Sequence, residues 1–167
     1  SYAGFRLLEE NGLDYPSRFG HLVRAYLQPL PKVIAGQLIA GSGFATSMID
    51  ISDGLATDLH HICMASGVGA EIHIEHLPLP ELLAEALDLP VEEQWKPAVY
   101  GGEDYELLFT VKPDAPGELI ARIERESKLT ITEIGTVVPD SDGKWIVDKN
   151  GRRTALEMQG WDHFGGY

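Results

Sequence analysis

The sequence is short of cysteine, of positive charge and of long apolar runs, and each shortage narrows what the chain can do. Cys63 is the one cysteine among 167 residues. This excludes an internal disulfide framework and any metal site built from several thiolates, and it fits a reducing, cytoplasmic compartment. Lys and Arg number 13 against 26 Asp and Glu, a formal net charge of −13. That field repels phosphate backbones and anionic lipid, so neither nucleic acid nor a membrane surface is an expected partner. It also repels a phosphorylated ligand unless a metal cation mediates. No apolar run of about 18 residues is present to span a membrane, nor is there a charged-then-apolar leader. Neither G-x-x-x-x-G-K-[ST] nor G-x-G-x-x-G occurs. An initiator Met is also missing. The chain opens Ser1-Tyr2 and its first Met is Met48, inside an apolar run, as expected for a piece of a longer protein.

What is present is ordinary in bulk, with 44% hydrophobic and 23% charged residues. The length suits one domain, residues 1–167, with neither an internal repeat nor a linker. Phe5, Leu7 and Leu8 followed by Asn11-Gly12 predict a first helix, and Ser17 is placed to cap a second that Pro29 and Pro31 end. A third helix is expected from Lys32 to the Gly41-Ser42-Gly43 connection. Ala45 to Ile51 has strand length. Leu55, Leu59, Ile62 and Cys63 then recur at helical spacing up to Ser66-Gly67. Glu71 to Glu75 alternates with period two and predicts a strand. Short helices are expected at 80–87 and 91–98, a central strand at Leu107 to Val111, a helix from Pro113 to Ser127 and a strand from Thr130 to Val138. Trp145-Ile146-Val147 and the Asn150-Gly151 turn predict a closing hairpin. The expected class is mixed α/β.

Two segments can carry chemistry. In Ile49-Asp50-Ile51-Ser52-Asp53-Gly54-Leu55, two carboxylates flank a serine where a strand hands over to a helix. Aspartates so close repel unless a cation such as Mg²⁺ lies between them. Ser52 can then offer a hydroxyl or N–H to a phosphate oxygen. The plainer reading makes Asp53 a helix N-cap and Asp50 a solvated strand end. In Gly101-Gly102-Glu103-Asp104-Tyr105-Glu106, three carboxylates follow two glycines next to a strand start. They can bind metal, pair with a cationic ligand, or form a solvated loop. None of the six histidines has a spacing that supports zinc, and His60 and His61 face different sides of their helix. Cys63 falls on an apolar stripe, as a structural thiol does. Trp161, Phe164 and Tyr167 can anchor a core or cover a flat ligand.

Taken together, Ser47 to Leu59, then Gly101-Gly102-Glu103-Asp104-Tyr105-Glu106-Leu107, then Gly160-Trp161-Asp162-His163-Phe164, resemble the thiamine-monophosphate kinases in order and spacing. The resemblance runs from about Ala3 to the end and concerns the C-terminal domain of a two-domain kinase. It implies a mixed sheet flanked by helices, like the C-terminal domain of aminoimidazole-ribonucleotide synthetase. It also implies ATP-dependent phosphorylation of thiamine monophosphate to thiamine diphosphate. Asp50 and Asp53 would hold Mg²⁺, Ser52 would contact ATP, Glu103 would touch thiamine phosphate, and Trp161 or Phe164 would pack on its rings. No general base is implied. The absent N-terminal domain would supply further aspartates and a homodimer interface, so the piece alone is expected to be inactive. The alternatives are another ATP-dependent synthetase of the same superfamily, such as a selenophosphate or aminoimidazole-ribonucleotide synthetase, or a non-catalytic acidic assembly domain.

Overall fold

Strand β1, Ala45–Asp50, alternates half-buried and exposed side chains, the mark of a strand with one covered face. A computed structural model describes residues 1–158. β1 pairs antiparallel with β3, Leu107–Val111, in a two-stranded sheet. The apolar run of β3, expected as a central strand, therefore has one strand neighbour among the described residues. Its apolar content answers to helices instead. Ala35 and Ile39 of α3 (Val33–Ala40) and Leu119 and Ile123 of α7 (Gly117–Ser127) form a buried cluster that Leu107 and Phe109 pack against.

The second sheet has the order β4-β2-β5-β6, with β2 at Val68–His73, β4 at Gly135–Pro139, β5 at Lys144–Val147 and β6 at Arg153–Ala155. β2 is antiparallel to β4 and parallel to β5, so this sheet is mixed. The expected mixed α/β fold is thus realised as two sheets flanked by helices. Helix α4, Leu55–Ser66, packs Ala56, Leu59 and Cys63 against Ile72 and Ile146 of the larger sheet and Leu108 of the smaller, which ties the two together. Gly67, left-handed at φ 64°, ends α4 where the sequence places the stop. Cys63 is buried in this core, and burial pushes its thiol pKa up. A third cluster joins α1 (Tyr2–Asn11), α2 (Gly20–Leu27) and short α5 (Leu83–Ala86) through Leu7, Leu22, Val23 and Leu83. Among the described residues no helix is long and apolar enough to cross a membrane.

Several boundaries differ from expectation for tertiary reasons. The strand expected at Glu71 to Glu75 is shifted back to 68–73, and Ile74–His76 closes into a 3-10 turn. Gly69 permits that shift: a Cβ there would lie 2.2 Å from the Gly143 carbonyl oxygen, so only glycine lets the chains approach. Only the end of the β-branched stretch from Thr130 pairs as β4. Ile131 and Ile134 are instead used as plugs in two different clusters. Ser17 opens a 3-10 turn rather than capping α2. Of the two helices expected at 80–87 and 91–98, the first shrinks to α5 and the second becomes a 3-10 turn at Val91–Glu93 followed by α6 (Lys96–Tyr100). The closing hairpin forms as expected, with Trp145 paired to Ala155 and Val147 to Arg153.

The hairpin turn carries a pH-dependent element. The Asn150 and Arg152 N–H groups donate to Asp148 Oδ1 at 2.8 and 2.9 Å. The bonds from Arg152 and Asn150 hold the Asp148 carboxyl below its ordinary value. A lowered folded-state pKa contributes stability that is present above the unfolded value near 4 and is lost as pH falls through the folded value. Asp148→Asn is therefore expected to flatten the acid limb of the hairpin's amide-exchange protection below about pH 4. An acid limb unchanged by the substitution would show that another group governs the turn.

Candidate functional site

Asp50 ends β1, and Ile51-Ser52-Asp53-Gly54 then turns the chain into α4. Gly54 is the N-cap of that helix at φ 102°, ψ 147°, a conformation that L side chains rarely adopt. A Cβ at Gly54 would also lie 3.1 Å from the Tyr100 carbonyl oxygen and 3.2 Å from that of Gly101. The turn is thus pressed against the start of the second acidic segment. Gly101 is itself tightly placed, since a Cβ there would fall 2.4 Å from the Pro97 carbonyl oxygen and 2.7 Å from the Tyr2 side chain.

Backbone hydrogen bonds close a seam between the two segments. The Glu103 N–H donates to the Ser52 carbonyl, the Tyr105 N–H to the Ile51 carbonyl, and the Ile51 N–H to the Glu106 carbonyl, each at 2.8 Å. Two loops that lie about fifty positions apart in sequence become one structure. Glu103 and Tyr105 hold left-handed backbones, φ 63° and 51°. Such geometry costs on the order of 1 kcal/mol or more per residue outside glycine and persists where surroundings over-determine it. Lys32, at the start of α3, reaches Glu106 at 2.9 Å and places one positive charge beside the acidic loop.

Below the turn sits Asp58, on the first turns of α4 and 2% exposed. Its Oδ2 accepts the Ser52 and Asp53 N–H groups at 3.0 and 3.1 Å. Burial raises the Asp58 carboxyl pKa above its ordinary value. Those two donors pull it down, the Asp53 charge raises it further, and His61 pulls it down. Ligating atoms of Asp53, Asp58 and His61 all lie within 4.8 Å of one another, with Asp53 and His61 exposed. Asp50 is exposed at the strand end and is not in that trio.

Residues 2–148 match the family model of the AIR synthase related protein, C-terminal domain. The chain belongs to this family. Among curated relatives, the thiamine-monophosphate kinase of Escherichia coli (strain K12) is 35% identical over 144 residues, which is 86% of this chain and 42% of the relative. That of Aquifex aeolicus (strain VF5) is 32% identical over 164 residues, 98% of this chain and 48% of the relative. A solved structure of AaThiL complexed with AMPPCP and TMP matches with a TM-score of 0.74 at 32% identity, over 98% of this chain and 48% of that one. The chain therefore spans about half the length of the curated relatives it matches. Escherichia coli HypE, a hydrogenase maturation protein, has a TM-score of 0.65 at 18% identity and shares the fold. The resemblance to the thiamine-monophosphate kinases is borne out.

In this AIR synthase related domain, Asp50, Ser52, Asp53 and Glu103 stand on the two loops that the seam joins. Asp53 makes no side-chain cap: the N-cap position of α4 belongs to Gly54. The Ser52 N–H is engaged by Asp58, which leaves the hydroxyl as the serine's group for a ligand. Trp161, Phe164 and Tyr167 lie outside the described residues. Sequence reasoning gave no role to Asp58 and set His61 aside with the other histidines. A signal was available, because residues 58 and 61 share a helix face three positions apart, but only burial of Asp58 under the turn gives that spacing a meaning.

Proposed function

We propose that the chain is the C-terminal half of a two-domain, homodimeric cytoplasmic kinase that transfers the γ-phosphoryl group of ATP to thiamine monophosphate, forming thiamine diphosphate. The seam that joins the two acidic loops carries this reading, since its backbone bonds bring the loop of Asp50 and Asp53 against the loop of Glu103. The names of the relatives and the ligands of the AaThiL structure support the choice of substrates. Leu27, Leu30, Val33 and Ile34 are each more than half exposed along one stretch, an apolar surface suited to a partner domain.

The donor chemistry fits Mg²⁺. The Asp50 and Asp53 carboxylates are exposed oxygen donors, the kind that this hard cation takes in a partly hydrated site. Held there, it would supply the positive charge that lets two polyanions approach. The chain's own groups do the rest. The Ser52 hydroxyl donates to a nucleotide phosphate oxygen. Glu103 faces the cationic thiazolium, and aromatic faces of Trp161 or Phe164 suit the same ring. The acceptor phosphate needs no general base, because a phosphate monoester's second pKa is about 6 and it is largely ionised at neutral pH.

The test is phosphoryl transfer by the full-length parent, supplied with ATP, Mg²⁺ and thiamine monophosphate. Saturable formation of thiamine diphosphate is expected, with negligible turnover by the 167-residue piece alone. ATP consumption by the parent that leaves thiamine monophosphate unchanged would overturn the reading in favour of another acceptor.

A further inference from the structure

Asp58 stands one layer below the groups assigned to ligands. Its carboxylate is buried at 2% exposure, whereas Asp53 above it is exposed. One of its oxygens, Oδ2, takes both the Ser52 and the Asp53 N–H groups. Charge-assisted bonds of this kind are stronger than neutral ones. They hold the two successive peptide units whose side chains are assigned to nucleotide and cation. The helix start cannot supply this restraint. The N-cap is glycine, with no side-chain cap bond, and the next backbone bond, from the Asp58 N–H to the Gly54 carbonyl, begins only inside the helix. On the other side, the seam takes the Ile51 and Ser52 carbonyls, the opposite ends of the same two peptide units, and leaves their N–H groups to Asp58. The carboxylate that must point at a cation therefore follows a peptide unit pinned at its carbonyl by the seam and at its N–H, from within, by Asp58.

We propose that Asp58 is a positioning residue: its buried carboxylate, bonded to the Ser52 and Asp53 N–H groups, sets the direction of the Asp53 carboxylate and the Ser52 hydroxyl without itself being a ligand. This rests on the cation role of Asp53 in the proposed function. His61, exposed and within 4.8 Å of both aspartates, supplies a dipole or positive charge that eases their mutual repulsion. Burial favours positioning over ligation. Asp58 already spends an oxygen on two backbone donors, while the exposed Asp53 offers its carboxylate to a hydrated ion.

The experiment uses the full-length parent as wild type, Asp58→Asn and Asp58→Ala. It reads amide exchange at Ser52 and Asp53 by NMR, affinity for Mn²⁺ alone by electron paramagnetic resonance, and kcat and KM. Asparagine keeps an acceptor for both donors and alanine keeps none. Both amides are expected to be protected in wild type and in Asp58→Asn, with Mn²⁺ affinity in Asp58→Asn within about threefold of wild type. Asp58→Ala is expected to lose protection and about 10- to 100-fold in Mn²⁺ affinity, the usual effect of removing an outer-shell support. Its KM for thiamine monophosphate should stay unchanged. Asp58→Asn losing as much affinity as Asp58→Ala would make Asp58 a ligand and overturn the proposal. Free exchange of both amides in wild type, or a parent that binds no Mn²⁺, would overturn it as well. Should Asp58→Ala fail to fold, wild-type exchange and Asp58→Asn decide the matter. A parent with the expected Mn²⁺ and exchange pattern that leaves thiamine monophosphate unphosphorylated would refute the proposed substrate and support the positioning role.

Discussion

Asp53→Asn in the full-length parent is expected to lower kcat at least about 100-fold, in the range seen when one preorganised charge-stabilising group is removed. Asp50→Asn should act in the same direction. The thermal midpoint of Asp53→Asn should hold or rise. In the free protein the Asp53 carboxylate lies close to the buried Asp58 carboxylate and raises its pKa, so the neutral amide removes a repulsion. Activity and stability thus move apart, a pattern expected when a residue is kept for its ligand rather than for the fold. Steady-state rates over a range of Mg²⁺ concentrations, together with thermal melting, check this. Full activity in the Asp50, Asp53 double substitution would leave a non-catalytic acidic assembly domain as the better account.

Gly54→Ala is expected to reduce both stability and activity. At φ 102°, ψ 147° the added Cβ puts the backbone in a region that is essentially glycine's, at a cost of about 1–3 kcal/mol. It also pushes on the Tyr100 and Gly101 carbonyls across the seam. For a chain of this size the melting midpoint should fall by roughly 3–10 °C. Gly20→Ala is the control. Gly20 opens α2 with open space around it and an ordinary helical φ, so alanine there should be neutral or mildly stabilising. Equal losses in the two variants would mean that the seam has no special part in holding the turn.

Much of the domain could be read from neighbouring residues alone. The strand-length run from Ala45 to Ile51, the apolar spacing of Leu55, Leu59, Ile62 and Cys63, the stop at Gly67 and the hairpin around Asn150-Gly151 all appear as expected. These are local patterns, set by backbone sterics and by side-chain periods of two and 3.6. Both acidic loops were identifiable too, because clustered carboxylates next to glycine are unusual as composition. The shift of β2 to 68–73 was not readable. It depends on Gly69 accepting the Gly143 carbonyl more than seventy residues away.

By itself, then, the sequence determined the element types, the acidic character of the site and the kinase-like motif order. Tertiary structure alone decided that the loops at 50–54 and 101–106 share one seam, that Glu103 and Tyr105 sit in left-handed backbone, and that Asp58 works from below while Asp53 stays outside. The physical reason is range. A helix or turn is chosen by interactions within a few residues. Burial of a carboxylate and pairing of distant backbones are settled only when separate segments exclude water from each other.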